Sequence, residues 1–150
     1  MKAKYTHTNI AACDWRLLAK FYTDVFGCEL VPPERNLSGE PVEKGTAVPG
    51  MHLTGAHLRL PGYGEDGPTL EIFHYDPLIE ADLKAVNRSG WGHIAFMVQD
   101  IEAAVAEVIA HGGKMVGEVV TTPIGSTGHF YHWCYMTDPE GNVLELQVKE

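Results

Sequence analysis

A chain of 150 residues suits one compact domain, or two small modules around a shared core, and can bury enough apolar surface to fold without staples. Its 20 acidic against 11 basic residues give a net charge of −9, which repels phosphate backbones and excludes nucleic acid as a partner. No apolar run approaches the ~20 residues that span a bilayer, and no apolar stretch follows Lys2 and Lys4 as in a secretory signal, so membrane association is excluded and a cytoplasmic location expected.

In chain order, Tyr5 to Ala12 reads as a strand and Asp14 as the cap of a helix that begins at Trp15 and stops at Gly27. Short strands follow at Glu29 to Val31, about Met51 to Leu60, and Thr69 to Tyr75. Between them, Pro32 to Pro49 is rich in Pro, Gly, Glu and Ser without an apolar period and reads as a surface loop. A linker over 77–90 follows, with a short helix expected between Pro77 and Asn87. The pattern then restarts: a strand from Gly92 to Val98, Asp100 as a cap, a helix from Ile101 to the Gly112-Gly113 pair, and strands at Met115 to Thr121, Phe130 to Met136 and Val143 to Val148.

The restart is a repeat. His93, Asp100 and Gly113 each lie 86 residues after His7, Asp14 and Gly27, and each half is β-α-β-β-β. Two modules are therefore expected, 1–76 and 91–150, in an α+β fold. Glu71 and Glu145 stand in the last strand of each half, in Leu70-Glu71-Ile72 and Leu144-Glu145-Leu146, but 74 apart. The first half thus carries twelve extra residues, assigned to Pro32 to Pro49.

Neighbours on a strand point to opposite faces, so each Glu turns away from two aliphatic side chains. His93 likewise opposes Ile94, and His7 opposes Thr8 and Ile10. Carboxylates on half-buried strands are costly without partners, and two imidazoles with two carboxylates suit a divalent cation. The donor set fits zinc, nickel, cobalt, manganese or iron(II) better than magnesium or calcium. His7, Glu71, His93 and Glu145 are the candidate metal ligands.

These segments resemble the vicinal oxygen chelate superfamily, which includes glyoxalase I, methylmalonyl-CoA epimerase, extradiol dioxygenases and the fosfomycin and bleomycin resistance proteins. The resemblance rests on His7 and Asp14, Phe21-Tyr22-Thr23-Asp24-Val25-Phe26-Gly27, Leu70-Glu71-Ile72, Gly92-His93-Ile94-Ala95-Phe96, and Asp138-Pro139-Glu140-Gly141-Asn142 leading to Leu144-Glu145-Leu146. It implies paired βαβββ modules forming an open, funnel-like barrel, the glyoxalase-like fold, with one metal ion chelating vicinal oxygens of a small carbonyl substrate. It further implies a homodimer and a lyase, isomerase or epimerase that shuttles an α-proton, with Glu145 or Glu71 as the base. The positions similar to the glutathione contacts of bacterial glyoxalase I hold Ala11 and Tyr75.

Two rival readings carry different chemistry. An iron-dependent extradiol dioxygenase would use His7, His93 and Glu145, with Glu71 filling a position that catechol or oxygen needs. A non-catalytic drug-binding resistance protein of the same fold would need no complete ligand set. Substrate-binding candidates are Phe73 and Met97, in register with Glu71 and His93, and His132 and Tyr135 on the aromatic segment Gly128 to Tyr135. His52, His57, His74 and His111 have no counterpart in the repeat and read as structural, and Cys13, Cys28 and Cys134 as small core residues.

Overall fold

The computed structural model describes residues 1–150 apart from Glu80, Asp82 and Leu83. The chain divides into two compact units, Met1–Glu80 and Ala81–Glu150, each built on its own sheet. The short helix expected between Pro77 and Asn87 includes the three residues outside the described set, and the described residues of that segment are not helical.

In unit 1 the order is β1 (His7–Ala11), α1 (Trp15–Phe26), β2 (Glu29–Leu37), α2 (Glu40–Thr46), β3 (His52–Arg59) and β4 (Thr69–Asp76). The sheet order is β1-β4-β3-β2, with β1 and β4 parallel and the other pairs antiparallel. A parallel pair needs a crossover, and α1 supplies the first part of it. Asp14 caps α1 by accepting from the amides of Arg16 and Leu17, and Gly27 ends it in the left-handed region at φ 68°. Trp15, Leu18, Ala19 and Tyr22 recur at helical spacing and are buried. Leu58, Leu70 and Ile72, on the sheet face opposite Glu71, are fully buried.

The segment Pro32 to Pro49 is not a plain loop. Its first part continues β2 to Leu37, across a register shift between Val31 and Arg35, and its second part forms α2. Proline is tolerated here because β2 is an edge strand. Val42 of α2, Val48 and Tyr75 pack on the buried cluster of Met51, Leu53 and Phe73. The extra residues of the first half thus cover part of the sheet face that carries Glu71.

In unit 2 the order is β5 (Ile94–Met97), α3 (Ile101–Ala110), β6 (Lys114–Met115), β7 (Val120–Pro123), β8 (Phe130–Thr137) and β9 (Val143–Lys149). The sheet runs β5-β9-β8-β6, and β7 also pairs with β8. The single strand expected from Met115 to Thr121 is therefore two short ones. The parallel pair β5 and β9 matches β1 and β4. Asp100 caps α3 through the Ala103 amide, and α3 buries Ile101 and Val108.

The turn into β9 explains the Asp-Pro-Glu-Gly-Asn run. Asp138 is buried, and its carboxylate accepts from the Glu140 amide, the Asn142 amide and the Asn142 side chain at 2.7–2.9 Å. A buried charge held by three donors is compensated, and it fixes where Val143 and hence Glu145 begin. Among the described residues no helix is long and apolar enough to cross a membrane.

Candidate functional site

The face of the first sheet opposite α1 carries His7 and Asn9 on β1, Glu71, Phe73 and Tyr75 on β4, and Leu53, Gly55 and His57 on β3. Alternation puts them there, since each lies two residues from the next along its strand. The Glu71 side chain is only 13% exposed and meets three nitrogen groups. His7 Nε2 stands 3.4 Å from Oε2, and Asn9 donates from Nδ2 to the same oxygen at 3.4 Å. His57 Nε2 stands 3.1 Å from the other oxygen, Oε1. Tyr75 donates its hydroxyl to Asn9 Oδ1 at 3.4 Å, and burial with the nearby Glu71 charge raises the phenol pKa, against the Asn9 hydrogen bond. The His57 pKa is lowered, first by burial and then by Arg35 and His7, against the raising effect of Glu71.

The second sheet repeats the arrangement with different neighbours. His93 precedes β5, and its Nε2 lies 3.0 Å from Oε2 of Glu145, whose side chain is 15% exposed. Gln147, two residues along β9, donates from Nε2 to Oε1 of Glu145 at 3.0 Å. Tyr135 pairs with Glu145 across β8 and β9, and its ring centroid is 5.0 Å from that of His93. Trp133 stands edge-on to Tyr135 at 5.2 Å and donates its indole N–H to Thr122. Leu144 and Leu146 on the opposite face are fully buried.

The structure thus brings His7 to Glu71 in unit 1 and His93 to Glu145 in unit 2. It also separates the substrate-binding candidates. Tyr135 sits at the His93–Glu145 pair, and exposed Met97 shares the sheet face of Glu145 through its register with Gln147. Phe73 shares the face of Glu71 but is buried in a cluster with Met51 and Leu53, against which Val42 and Val48 pack. His132 has the parity of Cys134 and Met136, opposite Tyr135, and its ring faces Thr121 Oγ1 at 2.9 Å and Glu150 Oε2 at 3.1 Å.

His57, read from sequence as structural, is the residue that reading missed at the site. The other three histidines of that group bond elsewhere: His52 donates to Asn36, His74 to the Ala12 carbonyl, and His111 to the Glu107 carbonyl. The cysteine expectation holds for two of three. Cys28 and Cys134 are buried, and burial pushes the Cys28 thiol up to about 12, whereas Cys13 is exposed.

The donor chemistry of the two pairs fits a divalent cation. In each pair an imidazole nitrogen stands beside a carboxylate oxygen, at 3.4 and 3.0 Å, and these are the donor types that zinc and similar cations take. Among the described residues no group of three or more His, Cys, Asp or Glu side chains is gathered closely enough to cage a metal ion.

The fold and the two pairs define a class, and comparison with known proteins names it: residues 4–146 match the family model of the Glyoxalase/Bleomycin resistance protein/Dioxygenase superfamily, and the chain belongs to that superfamily. A curated relative, "Probable lactoylglutathione lyase" of Vibrio parahaemolyticus, is 29% identical over 142 residues, covering 93% of this chain and 86% of its own. A glyoxalase family protein from Bacillus cereus aligns with a TM-score of 0.76 at 22% identity, over 99% of this chain and 94% of that one. A mutant of a fosfomycin resistance protein from Listeria monocytogenes, complexed with Mn(II) and 1S,2S-dihydroxypropylphosphonic acid, aligns at 0.57 and 15% identity, over 97% and 92% of the two chains. The fold is the glyoxalase fold.

Proposed function

We propose that the protein is a metal-dependent, glyoxalase-like lyase or isomerase that moves an α-proton on a small carbonyl substrate. The observation that carries this reading is the repetition of one His–Glu pair at corresponding strands of both units, at 3.4 and 3.0 Å. His7, Glu71, His93 and Glu145 would hold one divalent cation. That ion would supply Lewis-acid stabilisation of negative charge developing on the substrate's neighbouring oxygens. The superfamily, and the Mn(II) present in the fosfomycin resistance relative, support a metal without naming which one.

The remaining work falls to the side chains of this chain. Glu145 is the better candidate for the base: it faces one imidazole and one amide, whereas Glu71 faces two imidazoles and an amide. A carboxylate with fewer partners gives up less when it turns to a substrate C–H. Tyr135, with Trp133 behind it, offers an aromatic wall beside His93, and Met97 an exposed apolar contact. Both sit on faces where a substrate's carbon skeleton can be held.

The name of the Vibrio relative makes lactoylglutathione, and the compound a lyase would interconvert with it, the first substrate to try. Ala11 and Tyr75, where bacterial glyoxalase I resembles this chain but has its glutathione contacts, predict weak saturation by that substrate and stronger turnover of one without the tripeptide. The test is turnover of a panel of α-hydroxy and α-keto carbonyl compounds in heavy water, with solvent deuterium at the α-carbon as the readout. Metal-dependent deuterium incorporation, lost in Glu145→Gln, supports the reading. Oxygen uptake with a catechol under iron(II), without such exchange, would replace it with the dioxygenase.

A further inference from the structure

We propose that His57 is a positioning residue: it grips one oxygen of Glu71 so that only the other faces His7 and the cation. This rests on the metal reading above. The placement begins with register, because His57 lies directly opposite Glu71 across the antiparallel pair β3 and β4, where side chains on one face are in contact range. Its Nε2 is 3.1 Å from Glu71 Oε1, while His7 Nε2 and Asn9 Nδ2 address Oε2.

The ring itself is fixed from three sides. The Glu71 carboxylate can only accept, so Nε2 carries the proton that faces it, and in the neutral ring Nδ1 is then the acceptor for the Thr69 hydroxyl, 3.3 Å away. Phe73 stands edge-on to the ring at 5.7 Å. Phe73 can lie there because its β3 neighbour is Gly55, where any Cβ would fall 2.1 Å from Phe73 Cδ1. His7 stands edge-on on another side at 6.1 Å. At 20% side-chain exposure, His57 has little freedom to leave.

Unit 2 supplies the control. There the second oxygen of Glu145 is held by an amide, Gln147 Nε2 at 3.0 Å. If the task at each Glu is to donate one hydrogen bond to Oε1, an amide at position 57 does it too; if His57 were itself a metal ligand, an amide would not replace it.

The experiment measures metal affinity by competition between apo-protein and a chelator, using zinc or cobalt(II), for wild type, His57→Ala, His57→Gln, Thr69→Val and Glu71→Ala. Loss of a residue that orients a ligand weakens metal binding by about 10–100-fold, so His57→Ala is expected in that range, His57→Gln within about threefold of wild type, and Thr69→Val a few-fold weaker. Thermal unfolding of each apo-protein checks that the variants fold, and Thr69→Val keeps the test open should His57→Ala not fold. His57→Gln as weak as His57→Ala would overturn the proposal, as would wild-type affinity in His57→Ala and Thr69→Val. Should Glu71→Ala bind metal like wild type, the metal reading of Glu71 falls and the His57 proposal with it. Loss in Glu71→Ala without loss in the other variants refutes the role of His57 alone.

Discussion

The two units hold their glutamates differently although they build them alike. In each, a parallel strand pair sets a His beside a Glu, and the residues flanking the Glu are fully buried under a helix-bearing face. Around Glu71 stand His57, Asn9 and, through Asn9, Tyr75. Around Glu145 stand Gln147 and the rings of Tyr135 and Trp133. The frame therefore fixes where the carboxylate is, and the neighbours decide what it can do: Glu71 meets three nitrogen groups at 3.1–3.4 Å, two of them imidazoles, and Glu145 only two, at 3.0 Å, beside an aromatic wall.

The sharpest way to break this comparison is the pair Glu145→Gln and Glu71→Gln, assayed at saturating metal. Removing a general base costs about 10²–10⁴-fold in kcat, and that loss is expected at Glu145. Glu71→Gln is expected to act mainly on metal affinity and to recover most of its kcat when metal is raised. Equal kcat losses at saturating metal would contradict the division of labour.

On the buried faces the units should instead behave alike. Leu70→Ala and Leu144→Ala remove fully buried side chains beside the two glutamates, and each is expected to cost about 2–5 kcal/mol in denaturant unfolding. A smaller contrast returns at the helix starts. Asp14 accepts from two amides and Asp100 from one, so Asp14→Ala should lose about 1 kcal/mol or somewhat more, and Asp100→Ala less.

The smallest effect near neutral pH concerns Cys28. Its thiol is raised from 9.0 to about 12 by burial, so the folded state keeps a proton that the unfolded state releases. Stability from this group is complete below pH 9 and falls as pH rises towards 12, by at most about 1.4 kcal/mol per pH unit. Melting temperature against pH should show that decline, and Cys28→Ala should flatten it. Alkylation of the native protein at pH 8 should reach exposed Cys13 well before Cys28.

What could be read from sequence was what periodicity and repetition encode. Strand alternation exposed Glu71 and Glu145, and the repeat located His7 and His93 without any knowledge of pairing. His57 was out of reach because its meeting with Glu71 depends on the register across the loop between Arg59 and Thr69, and alternation along one strand says nothing about that. The segment Pro32 to Pro49 was misread because its Pro, Gly and Glu content conceals an edge strand and a two-turn helix anchored by Val42, with Val48 packing just beyond the helix end. His132 and Tyr135 lie on one strand with opposite parity, so only the structure could say which of the two stands beside Glu145.

The central proposal is that His7, Glu71, His93 and Glu145 are metal ligands, and metal content tests it most directly. Gently purified protein, and apo-protein reconstituted with zinc, nickel, cobalt, manganese or iron(II), should carry about one metal ion per chain, with loss in Glu71→Ala and in Glu145→Ala alike. No metal after reconstitution would contradict the account and favour a binding protein of the same fold; full metal content in either variant would contradict it too, in Glu71→Ala favouring the two-His, one-carboxylate dioxygenase site.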